Sequence, residues 1–167
     1  MRVAIIGQGY VGLTIAVDSA GAGHTVVGFD VNAELVKKLN VGHSHIEGIT
    51  DSHLGSLIES GSYSASSNPS TLEGCEVIVI AVPTPLDDQR NPDLSFVHAA
   101  ADIIAENVQS PTLVINESTS YPGTLRSEIA ARISGVEHLY ASSPERVDPG
   151  NTQWGTKNTP RLIGGLT

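Results

Sequence analysis

Cysteine, aromatic residues and basic charge are all scarce in this sequence. Cys75 is the only cysteine, so these residues form no internal disulfide, and we expect a reducing, cytoplasmic compartment. Aromatic residues make up 4% of the chain, which leaves a core of Val, Ile, Leu and Ala. Acidic residues outnumber basic ones by 18 to 9, and the resulting net charge of −9 argues against general nucleic-acid binding.

Long apolar runs and metal-ligand patterns are missing as well. No run approaches the length of about 18 residues needed to cross a membrane, and the first residues enter a strand directly, so neither a membrane segment nor a signal peptide is expected. His43 and His45 lack nearby cysteines or helical spacing, which favours a polar loop over a metal site. Cys75 has acidic neighbours that oppose thiolate formation, so a structural role is expected for it.

The amino-terminal segment combines an apolar strand with three spaced glycines. Val3 to Ile6 show no polar alternation, which is typical of a strand covered on both faces of a parallel sheet. Gly7 permits a tight turn, Gly9 lets a pyrophosphate approach the backbone, and Gly12 lets the following helix pack closely against its strand. Backbone N–H groups at that helix start would hold phosphates, so the pattern predicts a dinucleotide site.

A second strand and an acidic residue complete this unit. Residues 25–29 are rich in β-forming side chains, and Asp30 follows them about 20 residues beyond the glycines. A carboxylate there accepts hydrogen bonds from ribose hydroxyls and repels a 2′-phosphate, which favours NAD over NADP. We expect Asp30 to contribute little to the core. The alternative interpretation is an ordinary strand-to-helix turn, with Asp30 as a helix cap or loop acid.

Strand and helix alternate along the remainder of the chain. Helices are expected at 10–22, after a cap at Asn32, at 52–60, as one turn after a cap at Asn68 and Pro69, at 94–108 and around 125–133, and further strands at 63–66, 77–82, 112–116 and 137–141. The helix at 94–108 should face the core through Val97, Ala100, Ile104 and Val108. This alternation predicts a single domain over residues 1–167 with a doubly wound parallel sheet of the α/β class, a Rossmann fold. We expect the first helix to face the sheet through Val11, Ile15 and nearby alanines. The polar strand ends should share one edge: 7–12, 30, 83–85, 117–119 and 143–146.

Four short motifs occur in an order that resembles one enzyme family. They are GQGYVGL at 7–13, VPTP at 82–85, EST at 117–119 and SPERVDPG at 143–150. Together they are similar to the amino-terminal domain of the UDP-sugar 6-dehydrogenases, over essentially the whole chain. The last motif is more similar to the branch that acts on UDP-N-acetylhexosamines, such as UDP-N-acetyl-mannosamine, than to the UDP-glucose dehydrogenases.

The resemblance implies NAD-dependent oxidation of the C6 alcohol of a UDP-sugar to a carboxylate, by an enzyme that is a homodimer when full length. Thr119 and Glu145 would be catalytic in water handling and proton transfer, and Arg146 and Val147 would contact the UDP-sugar. The NAD contacts that it implies, besides the glycines, are those of Tyr10, Val11, Asp30, Val82, Pro83, Thr84, Ser118 and Thr119.

Some parts of the family pattern are missing from these residues. The family's thiol nucleophile and catalytic lysine belong to a second domain, and Cys75 matches neither context, so we interpret the chain as the cofactor domain of a longer enzyme. Leu35 stands where many members carry an arginine near the adenosine ribose. Two other functions share the opening fingerprint. A β-hydroxyacid-type NAD dehydrogenase would not explain residues 143–146, and a non-catalytic NAD-sensing module would leave Thr119 and Glu145 without a role.

Overall fold

A computed structural model describes residues 1–133, 135–146, 153 and 158–166, and its strands form one sheet. In chain order the strands are β1 (Arg2–Ile6), β2 (Thr25–Phe29), β3 (Tyr63–Ser66), β4 (Val77–Ile80), β5 (Leu113–Asn116), β6 (Leu139–Ser142) and β7 (Gly164–Gly165). Their spatial order is β3-β2-β1-β4-β5-β6-β7. Strands β1 to β6 pair in parallel, and β7 pairs antiparallel with β6. The predicted Rossmann sheet is therefore confirmed, with an added antiparallel edge.

The helices agree with the predicted ones to within one or two residues at each end, except that the last one ends three residues earlier than predicted. They are α1 (Tyr10–Gly21), α2 (Ala33–Asn40), α3 (Asp51–Glu59) and α4 (Ser95–Asn107), with a 3₁₀ turn at Pro69–Leu72 and a π-helical segment at Leu125–Ala130. In the π-helical segment the Ala131 N–H donates to the carbonyl of Arg126, five residues back, at 3.2 Å. The sequence predicted a helix there and did not predict this wider winding.

Side-chain caps explain where several of these elements begin. The Asn32 side-chain oxygen accepts hydrogen bonds from the N–H groups of Glu34 and Leu35, at 3.1 and 3.2 Å. Asn68 does the same for Ser70 at 3.1 Å, directly before the proline that opens the 3₁₀ turn. Both predicted caps are confirmed. Because the first N–H groups of a helix lack partners within it, such caps fix the point at which the chain turns away from its strand.

Helices cover the sheet on both faces, with a separate apolar core on each side. On one side α4 buries Val97, Ala100 and Ile104, and its C-cap buries Val108, which together form the stripe that the sequence predicted. On the other side α1 packs through Leu13, Ala16, Val17 and Ala20, whereas Val11 and Ile15 are only partly buried. The prediction is confirmed for the alanines, but Val11 and Ile15 pack only at the margin of this core, and Leu13 and Val17 face the sheet in their place. None of the helices in the described part of the chain is long and apolar enough to span a bilayer.

Candidate functional site

The carboxyl edge of the sheet carries a cleft at the point where the winding of the chain reverses. From β1 the chain winds outward to β2 and β3 on one side, and later to β4, β5 and β6 on the other. In open α/β sheets, ligands bind in the crevice outside the strand ends at such a point. A cleft of about 710 Å³ lies here.

Most of the residues predicted for the site come together in this cleft. Those that line it are Gly7, Gly9, Tyr10, Val11, Asp30, Val82, Pro83, Thr84, Ser118, Thr119 and Glu145. Gly12 lies behind the lining, and Arg146 is exposed and does not contribute to it. Val147 lies outside the described residues. The structure thus places five chain segments around one space, and the contacts of individual residues with ligands stay predictions.

The three glycines of the opening loop meet different steric demands. Gly7 has a φ of +91°, and a Cβ on it would lie 2.6 Å from the carbonyl oxygen of Ala81. A Cβ on Gly12 would lie 1.8 Å from the carbonyl oxygen of Gly7, so the start of α1 packs directly on the turn. A Cβ on Gly9 would meet nothing within 4 Å. This open space above the start of α1 fits the phosphates of a dinucleotide, which bind to N–H groups at a helix start.

A buried polar network supports the glycine loop from below, and the sequence reasoning missed it. The fully buried Gln8 side chain donates to the carbonyl of Ile5 at 2.9 Å and accepts from the Tyr63 hydroxyl at 2.9 Å. A Cβ on Gly28 would lie 2.3 Å from the Gln8 side-chain oxygen. Burial raises the pKa of Tyr63 far above its ordinary value, so its hydroxyl stays a donor. The only sequence signal was an isolated glycine inside a strand, which marks a close approach of other atoms.

Asp30 fastens the glycine loop to the start of α2. One carboxylate oxygen accepts from the Gln8 N–H at 2.8 Å, and the other accepts from the Asn32 N–H at 2.9 Å. The sequence predicted that Asp30 contributes little to the core, and it did not predict that the carboxylate holds two backbone segments in place. Each carboxylate oxygen can accept more than one hydrogen bond, so the same group remains able to bind ribose hydroxyls.

Apolar side chains form two of the cleft walls, and the sequence linked only Leu35 among them to the site. Phe96, Ala99 and Ile103 lie along one flank of α4, and Leu35 and Val31 lie beside Asp30. Phe96 is 49% exposed although it is large and apolar. Largely apolar walls with a few polar groups are typical of sites for cofactors with flat rings. The signal in the sequence was a second apolar stripe on α4, next to the stripe that faces the core.

Ser118 joins the ends of β4 and β5. Its hydroxyl donates to the carbonyl of Val82 at 2.8 Å and accepts from the N–H of Val82 at 3.0 Å. The adjacent Asn116 side chain donates to the carbonyl of Ser118 at 3.1 Å. These bonds fix the backbone of the predicted cofactor residues Val82 and Thr119 relative to each other.

Two acidic residues and one arginine meet at the far end of the cleft, beyond β5 and β6. Glu117 and Glu145 both line the cleft, and Glu117 is only 8% exposed. Arg161 donates to both carboxylate oxygens of Glu117, at 3.0 and 2.9 Å, and to one carboxylate oxygen of Glu145. Burial raises the pKa of Glu117, while the Arg161 guanidinium acts in the opposite direction. The sequence reasoning did not assign Glu117 or Arg161 to the site, because nothing local links position 161 to this edge.

The described residues contain no group of three or more histidine, cysteine or acidic side chains placed to hold a metal ion. The glycine turn, the open space at a helix start and the acid after β2 together define a dinucleotide-binding Rossmann domain. Residues 1–167 match the family model described as "UDP-glucose/GDP-mannose dehydrogenase family, NAD binding domain". The chain therefore belongs to the UDP-glucose/GDP-mannose dehydrogenase family, as its NAD binding domain, which confirms the predicted family and cofactor.

Similar proteins support the same assignment. The chain is 37% identical to UDP-N-acetyl-D-mannosamine dehydrogenase of Pyrococcus horikoshii, over all of this chain and 41% of that protein. It is 33% identical to UDP-N-acetyl-D-glucosamine 6-dehydrogenase of Pseudomonas aeruginosa, over all of this chain and 40% of that protein. The solved structure of the Pyrococcus horikoshii enzyme superposes with a TM-score of 0.88 at 36% identity, over 99% of this chain and 41% of that one. The chain thus spans about two fifths of the length of these relatives.

We expect the chain to bind NAD at least about 10-fold more tightly than NADP, a difference of about 1.4 kcal/mol. The Asp30 carboxylate would repel a 2′-phosphate, and no lysine or arginine is among the described residues that line the cleft. Calorimetric titration with both cofactors measures the ratio. Asp30→Asn removes the charge and keeps the shape of the side chain, so it should lower the ratio of NAD affinity to NADP affinity. Equal affinity of the unchanged chain for both cofactors would refute the prediction.

We expect Asp30→Ala to weaken NAD binding about 10- to 150-fold, since a hydrogen bond to a charged group contributes about 1.5–3 kcal/mol. The melting temperature without NAD should also fall by a few degrees, because two backbone N–H groups lose their acceptor. Asp87→Ala is the matched control. Asp87 also accepts from two backbone N–H groups, those of Gln89 and Asn91, but it does not line the cleft. If both variants weaken NAD binding equally, Asp30 has no specific role at the ribose.

Proposed function

We propose that the full-length protein oxidises the C6 alcohol of a UDP-sugar, UDP-N-acetyl-mannosamine in particular, to the carboxylate. Two NAD molecules and one water would be consumed for each alcohol, giving a carboxylate, two NADH and three protons. The observation that carries this proposal is that Glu145 and Thr119 line the same cleft as the glycine loop. A site for cofactor binding alone has no need of a carboxylate at this end. The names of the relatives support a nucleotide-sugar substrate.

The order of the strands supports a direction for the dinucleotide along the cleft. Asp30, at the end of β2, would bind the adenosine ribose, and the pyrophosphate would lie over the open space at Gly9. The nicotinamide would then reach past Val82, Pro83 and Thr84 toward the ends of β5 and β6. NAD supplies a hydride acceptor there when it is bound.

The residues of this chain would handle water and protons at that end. Thr119 is proposed to orient the attacking water through its hydroxyl, and Glu145 to accept the proton that the water or the alcohol releases. Arg146 and Val147 are proposed to contact the UDP-sugar. The cleft walls formed by α4 and Leu35 would keep bulk water away from the cofactor rings.

We further propose that residues 1–167 are one NAD-binding domain of a longer, homodimeric, cytoplasmic enzyme. Three large apolar side chains are strongly exposed at the β6–β7 edge, namely Leu139, Leu162 and Ile163. A surface of this kind is consistent with cover from a further part of the protein or from a partner. The single, buried cysteine is consistent with a reducing compartment. Light scattering of the full-length protein tests the dimer.

The substrate is tested by following NADH absorbance with the full-length protein and three nucleotide sugars. We expect the largest kcat/KM with UDP-N-acetyl-mannosamine, a smaller value with UDP-N-acetyl-glucosamine and the smallest with UDP-glucose. Glu145→Gln should lower kcat by about 10²- to 10⁴-fold, the usual contribution of a general base. Preference for UDP-glucose would overturn the substrate assignment. Absence of NADH with every sugar, together with intact NAD binding, would favour a cofactor-sensing module instead.

A further inference from the structure

Arg161 joins the side chains of Glu117 and Glu145, which follow the ends of β5 and β6. The backbones of these two acids are already linked, because the Glu145 N–H donates to the Glu117 carbonyl at 3.4 Å. Arg161 precedes β7, which is antiparallel to β6, and its guanidinium reaches the ends of both β5 and β6. One of its nitrogens donates to both oxygens of Glu117, at 3.0 and 2.9 Å, and the other donates to Glu145. The side chains of all three residues are mostly buried, with exposed fractions of 20% for Arg161, 8% for Glu117 and 10% for Glu145.

We propose that Arg161 is a positioning residue that holds the Glu145 carboxylate at the nicotinamide end of the cleft, with Glu117 as the buried anchor for its guanidinium. The inference rests on the role proposed for Glu145. A guanidinium can bind two carboxylates at once, because its donors diverge in a fixed plane. One guanidinium nitrogen donates to both oxygens of Glu117, and the other nitrogen donates to Glu145.

Without the arginine, two carboxylates would face each other in a partly buried site. Burial already raises the pKa of Glu117, and loss of the guanidinium would remove the influence that opposes it. Two neighbouring carboxylates without a cation tend to share one proton, and a carboxyl group that already holds a proton cannot act as a base. Other charged groups at this edge are Arg146, which is exposed, and Asp30, across the cleft. In the loop after β4, Asp87 and Asp93 accept hydrogen bonds from nearby backbone N–H groups.

The test uses the full-length enzyme and its kcat as a function of pH. Arg161→Met should lower kcat on the order of 10²-fold at neutral pH, since a misplaced catalytic group costs about that much. The affinity for NAD should change less than twofold, because the glycine loop and Asp30 are untouched. The acid limb of the kcat profile should move to higher pH, so that part of the activity returns in alkaline buffer. Arg161→Lys, which keeps the charge but cannot bind both acids, should recover only part of kcat.

Two further variants separate positioning from simple stabilisation. In Arg161→Met/Glu117→Gln the buried carboxylate is removed together with the cation that it needs, so the melting temperature should recover. The kcat should stay low, because nothing then holds Glu145. Arg132→Met is the matched control, because Arg132 also pairs with a carboxylate, that of Asp102, but on the outer surface of α4. We expect it to keep the kcat and the pH profile of the unchanged enzyme. If Arg161→Met keeps the original profile, or if the double variant regains full kcat, the inference is overturned.

A measurement without substrate tests the same contact even if no UDP-sugar is turned over. Melting temperatures of the full-length protein are compared for Arg161→Met, for Glu145→Gln and for Arg161→Met/Glu145→Gln. Residues in direct contact give shifts that are not additive. Additive shifts would show that Arg161 does not hold Glu145. Lack of turnover by the unchanged enzyme, with non-additive shifts, would refute the proposed function and leave the positioning intact.

Discussion

The 167-residue chain is expected to bind NAD and to form no NADH with any UDP-sugar. Oxidation to the acid requires an activated nucleophile, and Cys75, the only thiol of the chain, lies just before β4, at the amino edge of the sheet. Cys75 is 2% exposed, and burial raises its pKa, so it is protonated and shielded. Calorimetry with NAD and NADH absorbance with three UDP-sugars measure the two parts of the prediction.

The full-length protein provides the comparison for this result. It should form NADH under the same conditions, and Cys75→Ser in it should leave turnover within about twofold of the unchanged enzyme, because Cys75 does not line the cleft. Sustained turnover by the short chain would contradict the prediction and would mean that the nucleophile lies within residues 1–167. A large loss of turnover in Cys75→Ser, with an unchanged melting temperature, would point to Cys75 itself.

Gly12→Ala is expected to destabilise the chain by about 3 kcal/mol, which lowers the melting temperature by roughly 6–12 °C for a domain of this size. The new Cβ would lie 1.8 Å from the carbonyl oxygen of Gly7, which belongs to the backbone of the turn and cannot rotate away. Either α1 must move off the sheet or the phosphate-binding turn must deform. Thermal unfolding and NAD titration should both register the change.

Two other glycines of α1 and its cap serve as controls for Gly12→Ala. Gly9→Ala should leave the melting temperature within about 2 °C and still weaken NAD binding on the order of 10-fold or more, because its Cβ meets no protein atom but enters the space proposed for the phosphates. Gly21→Ala should stabilise the chain by about 0.5–1 kcal/mol, since a methyl group there has open space and alanine favours the helix. Equal melting temperatures for all three variants would show that the turn tolerates a side chain at Gly12.

The parts of the site that could be predicted from the sequence are those whose chemistry is local. The glycine spacing, the acid after β2 and the polar ends of β4, β5 and β6 each depend on a few neighbouring residues. The residues that escaped prediction make contacts across long stretches of chain. Gln8 meets Tyr63 across 55 positions, and Arg161 meets Glu117 across 44. No periodicity or spacing rule links such pairs, because their proximity depends on which strands become neighbours.

The amino-acid sequence by itself determined the alternation of strands and helices, the caps at Asn32 and Asn68 and the shared edge of the polar strand ends. These follow from apolar periodicity and from right-handed connections between parallel strands, which are properties of short segments. Only the tertiary structure decided which face of α1 packs on the sheet, that Asp30 fastens the glycine loop, and that Arg161 joins Glu117 to Glu145. Those features depend on packing distances of a few ångströms between segments remote in sequence, and such distances exist only once the sheet has formed.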